Sequence, residues 1–366
     1  MKVGERHYRS IWADERPGTV TIIDQQRLPH VFETRTIGTL DEMAEAIRTM
    51  RVRGAPLIGV AAAFGVALAM LSDQRDKALD KAIAALRETR PTAVNLAWAL
   101  DRMERTLLPM PPSQRLGTAW EEARRIADED VALNEAIGRN GLGILRELAA
   151  QRGRVNILTH CNAGWIATVD WGTVTAPIFM AHDAGIPVHV WVDETRPRNQ
   201  GLLTAWELAS HGVPHTLVAD NAGGHLMQRG QVDVVLVGAD RVTSRGDVCN
   251  KIGTYLKALA ARDNGVAFYA CVPTPTIDWS IADGMQIPIE ERSAEEVRKV
   301  RGLDAAGAFA EVAIAPASTP VANPAFDVTP AALVTGIVTE KGIAPAEEGA
   351  LLAFWPRSRE DKAYVT

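Results

Sequence analysis

The chain has 366 residues, with 39 Lys and Arg against 45 Asp and Glu for a formal net charge of −6; 47% are hydrophobic and 23% charged. That balance is ordinary for a globular protein and excludes a duplex nucleic-acid surface, which needs a concentrated basic face. The length exceeds the roughly 250–300 residues at which a single core stops growing, so two domains are expected, 1–152 and 153–366.

The first part reads as mostly helical after a short β opening. Val20–Ile23 and residues 30–33 are strand candidates, joined by the turn-rich stretch 24–29. Thr39 with Glu42 three residues on is a capping box, and it opens a helix over 40–50 with Met43, Ile47 and Met50 on one face. Residues 54–71 carry no charge, but nine of the eighteen are Ala or Gly, with Pro56 near the start. So little area per residue suits a tightly packed internal helix rather than a membrane span. Further helices are expected over 77–88, Val94–Leu107 and 119–151, the last bent or broken at Gly138, Gly141 and Gly143.

From residue 155 the rhythm changes. Apolar runs at Val155–Thr159, 188–192, 216–219, 232–237 and 266–272 alternate with helical stretches at 173–184, 202–210, Ala222–Gln228 and 251–262. Strands that are apolar throughout and separated by helices predict a parallel sheet covered on both faces. The fold class is therefore α/β: a Rossmann-like three-layer domain preceded by a smaller, mostly helical one. No Gly-x-Gly-x-x-Gly follows the first strand, so no dinucleotide cofactor is expected. The tail is loop-rich over 316–330 and expected to be helical from Ala331.

In such sheets ligands bind beyond the carboxyl ends of the strands. The residues there are His160-Cys161-Asn162, the run 193–201, Asp220-Asn221 and Gly238-Ala239-Asp240-Arg241. Cys161 sits in a small-residue turn where backbone N–H groups favour a thiolate. Cys249 and Cys271 fit a core role, and three cysteines make no disulfide scaffold. No Cys-x-x-Cys pair occurs and no metal is expected. Asp240 closes an apolar run, where partial desolvation raises a carboxyl's pKa and suits a general acid. Arg53-Gly54-Ala55-Pro56, Arg90-Pro91-Thr92 and Asn250-Lys251 read as three helix starts, which together predict a phosphate site. Residues 1–16 hold no apolar core, so no signal peptide is expected; the expectation is a cytoplasmic, reducing compartment with no membrane partner.

At these residues the sequence resembles the methylthioribose-1-phosphate isomerase family, the aldose–ketose isomerases of methionine salvage. The resemblance rests on Arg51-Val-Arg-Gly-Ala-Pro-Leu-Ile-Gly, Arg90-Pro-Thr-Ala-Val-Asn-Leu, Leu158-Thr-His-Cys-Asn-Ala-Gly, Asp193-Glu-Thr-Arg-Pro and Leu203-Thr-Ala-Trp-Glu-Leu. Val237-Gly-Ala-Asp-Arg, Gly246-Asp-Val-Cys-Asn-Lys-Ile-Gly-Thr-Tyr and Pro324-Ala-Phe-Asp-Val-Thr-Pro extend it over nearly the whole chain. It implies Cys161 and Asp240 as catalytic residues, and Arg53, Gly54, Ala55, Arg90, Gln200, Asn250 and Lys251 as substrate-binding ones. It also implies a sugar-phosphate substrate, a homodimer and no cofactor. Against the family pattern, the spacing after Gln200-Gly201 is one residue short. Isomerisation of 5-deoxyribose 1-phosphate or ribose 1,5-bisphosphate, and a regulatory role through protein contacts like that of related initiation-factor subunits, are the alternative readings.

Overall fold

The computed structural model describes residues 1–14, 17–91 and 93–354; Arg16, Thr92 and the last residues of the 153–366 span therefore lie outside the described residues. Strands β1 (Ile11–Ala13), β2 (Val20–Ile23) and β3 (Thr34–Ile37) form an antiparallel sheet near the start. The partner expected at 30–33 is displaced to β3, because pairing Val20 with Ile37 buries Ile37 while Thr34, Arg35 and Thr36 stay exposed.

Five helices follow: α1 (Leu40–Arg48), α2 (Ala55–Ala69), α3 (Asp76–Arg87), α4 (Val94–Leu107) and α5 (Pro112–Arg152). The capping box is present at the start of α1. Helix α2 is the hub, buried continuously from Leu57 to Leu68. Its small residues allow close approach: a Cβ on Gly59 would lie 2.7 Å from the Asn95 carbonyl oxygen of α4. Among the described residues no helix is long and apolar enough to cross a membrane.

Helix α5 runs unbroken for 41 residues, so of the bend or break expected at its glycines the break does not occur. Gly138 and Gly141 instead make room for α6 (Thr175–Asp183): added Cβ atoms would stand 2.8 Å from Ala176 Cβ and 2.9 Å from Pro177 Cβ. The helix joins two cores, with Trp120, Ala123 and Ile126 in the first and Ile137, Leu142 and Leu145 in the second.

The main sheet alternates β4 (Val155–Thr159), α6, β5 (Val188–Asp193), α7 (Gly201–His211), β6 (His215–Val218), α8 (Ala222–Gln228) and β7 (Val234–Val237). A hairpin of β8 (Arg241–Thr243) and β9 (Val248–Lys251) then leads to α9 (Thr254–Asp263) and β10 (Ala267–Cys271). After the short β11 (Ile277–Asp278) and α10 (Glu295–Arg298) comes a second hairpin, β12 (Lys299–Leu303) and β13 (Phe309–Ala313). The chain closes with β14 (Phe326–Thr329), β15 (Gly336–Thr339) and β16 (Gly342–Ala344). The expected helix from Ala331 is only one 3₁₀ turn, Ala331–Leu333; the fully buried β15 takes a place in the sheet beside β10 instead.

Across the main sheet the order is β16-β15-β10-β7-β4-β5-β6, parallel except for β16. Counted from β4 this is the doubly wound 3-2-1-4-5-6 arrangement, with its switch point between β4 and β7. A four-stranded sheet, β11-β8-β9-β14, stands at the carboxyl end of β7. Asn250 and Lys251 lie on β9 within it, so their expected place at a helix start is corrected: they pair with Asp327 and Phe326, and α9 begins only after the left-handed Gly253.

Candidate active site

The chain leaves β4 through His160 and enters a turn in which Cys161 holds φ at +69°. Two threonines pin that turn. The Cys161 N–H donates to Thr195 Oγ1 at 2.8 Å, and its carbonyl accepts from Thr204 Oγ1 at 2.8 Å. On the neighbouring strand β7 the chain continues through Gly238 and Ala239 to Asp240, whose N–H donates to the Cys249 carbonyl at 2.9 Å. A Cβ on Gly238 would stand 2.7 Å from Ala163 Cβ, so this glycine lets the two strand ends close on each other. Adjacent strands lie about 4.8 Å apart. Cys161 and Asp240 therefore face one crevice from either side of the switch point, and both line it.

The same cleft is lined by Arg53, Gly54, Ala55, Arg90, Gln200, Asn250 and Lys251. All nine residues singled out from the sequence thus come together. Gly54, with φ at +100°, caps α2, and no side chain makes a capping hydrogen bond at that helix start. Arg53 donates to Asn162 Oδ1, and Asn162 Nδ2 donates to Glu207 Oε1 at 2.8 Å. Glu207 also accepts the Trp165 N–H at 2.8 Å. Lys251 Nζ donates to the Ala325 carbonyl at 2.9 Å and stands 4.3 Å from the Phe326 ring centre. Asn250 Nδ2 donates to Thr254 Oγ1 at 3.0 Å. Arg90 Nη2 sits 3.6 Å from Glu290 Oε2. Arg53 Nε and Gln200 Oε1 are buried without a hydrogen-bond partner, which leaves them available to a polar substrate.

Burial dominates the acidities. It pushes the Asp240 carboxyl up, against the pull of Lys251, Arg90 and Arg53, in the direction expected for a general acid. It also pushes the Cys161 thiol up, against Lys251 and Arg53. The thiolate expected from the turn's N–H groups is therefore not the resting form: the turn is pinned by threonines, while the sulfur is desolvated. Burial lowers Lys251 and Arg53 in turn. It raises the Glu207 carboxyl to about 7.

A ligand-like cluster backs onto the cleft through His160, where His160, Asp193 and Asp220 present atoms within 4.8 Å of one another. Lys257 already supplies a cation there. Its Nζ is 3.2 Å from Asp193 Oδ2 and donates to the Asp220 carbonyl, while His160 Nδ1 stands 3.0 Å from Asp193 Oδ2. The donor set is that of a buried ion network bracing the Cys161 turn.

Residues 51–346 match the family model described as the Initiation factor 2 subunit family. Methylthioribose-1-phosphate isomerase from Brucella anthropi is 61% identical over 98% of this chain and 100% of its own length, and that from Sinorhizobium medicae is 60% identical over 97% and 99%. The chain belongs to the Initiation factor 2 subunit family, in its methylthioribose-1-phosphate isomerase branch. A crystal structure of 5-methylthioribose 1-phosphate isomerase from Pyrococcus horikoshii superposes on it with TM-score 0.83 at 42% identity, covering 95% of this chain and 96% of that one. A crystal structure of the translation initiation factor eIF-2B delta subunit from A. fulgidus is also similar, 37% identical with TM-score 0.77 over 93% and 96% of the two chains.

For this family member two cleft residues and one that supports the cleft escaped the sequence reading. Arg198 stood in a strand-end run but carried no signal of its own, and Arg292 lies in an irregular loop that only the tertiary fold brings to the cleft. Glu207 reads as one more residue of α7; its role in holding Asn162, and through it Arg53, follows only from contacts some 45 residues apart. A buried acid in the middle of an apolar helix face was the available signal.

Proposed function

We propose that the protein is an aldose–ketose isomerase that converts 5-methylthioribose 1-phosphate into 5-methylthioribulose 1-phosphate within methionine salvage. The observation that carries this reading is the placing of a thiol and a carboxyl, both pushed up in pKa by burial, on opposite lips of a cleft furnished with arginines, a lysine and a helix start. We take the division at 152/153 to be the domain boundary, and the protein to work as a cytoplasmic homodimer.

The substrate's anomeric carbon carries phosphate, so its ring cannot open to a free aldehyde. In the proposed route Asp240 gives its proton to the ring oxygen as the C1–O bond breaks. The phosphate stays on C1, held by Arg53, Arg90 and Lys251 with the N–H groups at the start of α2. Cys161, as thiolate, then removes the C2 proton, and the C2–H electron pair becomes the C1–C2 double bond of an enol phosphate. The same sulfur returns the proton to C1 as the C2 hydroxyl becomes the ketone and restores the proton on Asp240. The resting thiol must first lose its proton to solvent, a cost that the neighbouring Lys251 and Arg53 reduce. In the rival route the C2 hydrogen crosses to C1 as hydride and the thiol stays neutral.

Turnover of purified protein on methylthioribose 1-phosphate in deuterated water tests both levels. Conversion to the 2-keto product is the expected result, and no conversion would end the isomerase reading. Solvent deuterium at C1 supports the proton route; its absence at low conversion favours hydride transfer. A purely regulatory role, like that of the initiation-factor subunits, has no use for two desolvated proton-transfer groups facing one cavity.

A further inference from the structure

Behind the Cys161 turn lies a carboxylate that the proton-transfer steps do not use. Glu207 is buried on α7, and a side chain on Gly164 would collide with its carboxyl, so that glycine makes its room. Its Oε2 accepts the Trp165 N–H at 2.8 Å, and its Oε1 accepts Asn162 Nδ2 at 2.8 Å and the Ile166 N–H at 3.4 Å. All three partners are donors, which favours the carboxylate against the burial that raises it to about 7. Thr204, on the same face of α7, also accepts from Asn162 Nδ2, at 3.0 Å. With both amide hydrogens committed to α7, Asn162 Oδ1 is left for Arg53, whose guanidinium has donors only. Arg53 Nη2 makes that bond, while Nε is buried without a partner and the residue lines the cleft. After Cys161, Glu207 is the group whose charge most offsets the desolvation of Arg53. The chain of donors and acceptors is therefore directional, running from carboxylate through amide to guanidinium.

We infer that Glu207 is a positioning residue for phosphate binding: by fixing the sense of the Asn162 amide it anchors one edge of Arg53 and leaves the Nε edge to the substrate's phosphate. The inference rests on the isomerase reading. With glutamine at 207, the new amide group must meet either the Trp165 N–H or Asn162 Nδ2, donor against donor. The backbone N–H cannot turn and the Asn162 amide can. The conflict thus passes down the chain, Asn162 presents Nδ2 to Arg53, and the guanidinium loses its anchor. A phosphate held alike in ground and transition states registers that loss as KM.

The test is steady-state kinetics on methylthioribose 1-phosphate at about pH 8, above the raised carboxyl. The variants are Glu207→Gln, Arg53→Met, the two combined, and an exchange of the two groups, Asn162→Asp with Glu207→Gln. A hydrogen bond to a charged group is worth roughly 10–100-fold in an equilibrium constant. Glu207→Gln should raise KM by about that factor, with kcat falling less than KM rises. In the Arg53→Met background the same change should alter kcat/KM by no more than about twofold, because its effect passes through Arg53. The exchange restores a donor–acceptor match at each link from Trp165 to Arg53 and should undo most of the KM rise. An unchanged KM in Glu207→Gln, an additive cost in Arg53→Met, or an exchange no better than Glu207→Gln would each overturn the inference and leave the isomerase reading intact. Should Glu207→Gln fail to fold, the exchange decides alone: a folded protein with a near-normal KM supports the inference, and an unfolded one overturns it. Wild type inactive on the sugar would overturn both.

Discussion

Replacing Gly54 by alanine puts a methyl group where the fold has none to spare. The new Cβ would lie 2.4 Å from the Ala167 carbonyl oxygen, 2.5 Å from its Cα and 2.6 Å from its Cβ, at a residue whose φ is +100°. The positive φ costs an L-residue about 1–2 kcal/mol. Overpacking costs a further ~1–3 kcal/mol, and here the obstruction is backbone that cannot rotate aside. The total of about 2–5 kcal/mol falls below the ~5–15 kcal/mol typical of a folded protein, so the variant should fold. Relief requires the start of α2 to retreat by about 1 Å from the 164–168 turn, carrying Arg53 with it. A displacement of that size at a reacting centre costs roughly 10²-fold in rate. Urea unfolding followed by circular dichroism, with kcat/KM for methylthioribose 1-phosphate, reads both effects. A variant within 1 kcal/mol of wild type and within threefold of its kcat/KM would show that the tight contact between α2 and the 164–168 turn does not position the site.

Asp240→Asn and Cys161→Ser should each lose about 10²–10⁴-fold in kcat while keeping the wild-type urea midpoint; near-normal kcat in either variant removes that residue from the chemistry. The proton route needs Cys161 as thiolate and Asp240 as acid at once, so kcat/KM should rise with pH through the lower of their two raised pKa values and fall through the higher; a profile with no rising limb would favour hydride transfer. Gly138→Ala should destabilise α5 by up to about 2 kcal/mol, its contact with Ala176 outweighing the helix-propensity gain. Gly143→Ala, which meets open space on the same helix, should stabilise by about 0.5–1 kcal/mol; equal signs for the two would refute the packing account. Burial raises Asp130 to about 7, so its contribution to stability is present below the ordinary carboxyl range and fades as pH climbs through about 7. Asp130→Asn should therefore gain on wild type between pH 4 and 7, reaching up to about 4 kcal/mol at pH 8; a pH-independent difference in urea midpoints would contradict it.

Local chemistry made much of this molecule legible in its sequence. The capping box at Thr39 and Glu42, and the apolar runs that became β4, β5, β7 and β10, are each specified within a few residues. The candidate site was legible for the same reason, since in a parallel sheet the residues after each strand share one edge. What escaped depended on distant partners. Strand β3 is mostly polar and exposed, and only its pairing with β2 makes it a strand. Asn250 and Lys251 look like the approach to a helix until β14, some 75 residues downstream, claims them as a strand. Gly138 and Gly141 weaken a helix in isolation, and α6 decides that they favour this one. The β12–β13 hairpin carried only a turn signal, Asp304-Ala-Ala-Gly between two short runs.

Helix α5 leaves a thermodynamic signature. At about 1.5 Å per residue, its 41 residues make a rod roughly 60 Å long, with one end sealed into the first core and the other into the second. Breaking it midway sacrifices hydrogen bonds that both cores rely on, while releasing only a few torsions. Neither half has a seam at which to melt alone, so heat should carry the whole molecule through a single calorimetric peak.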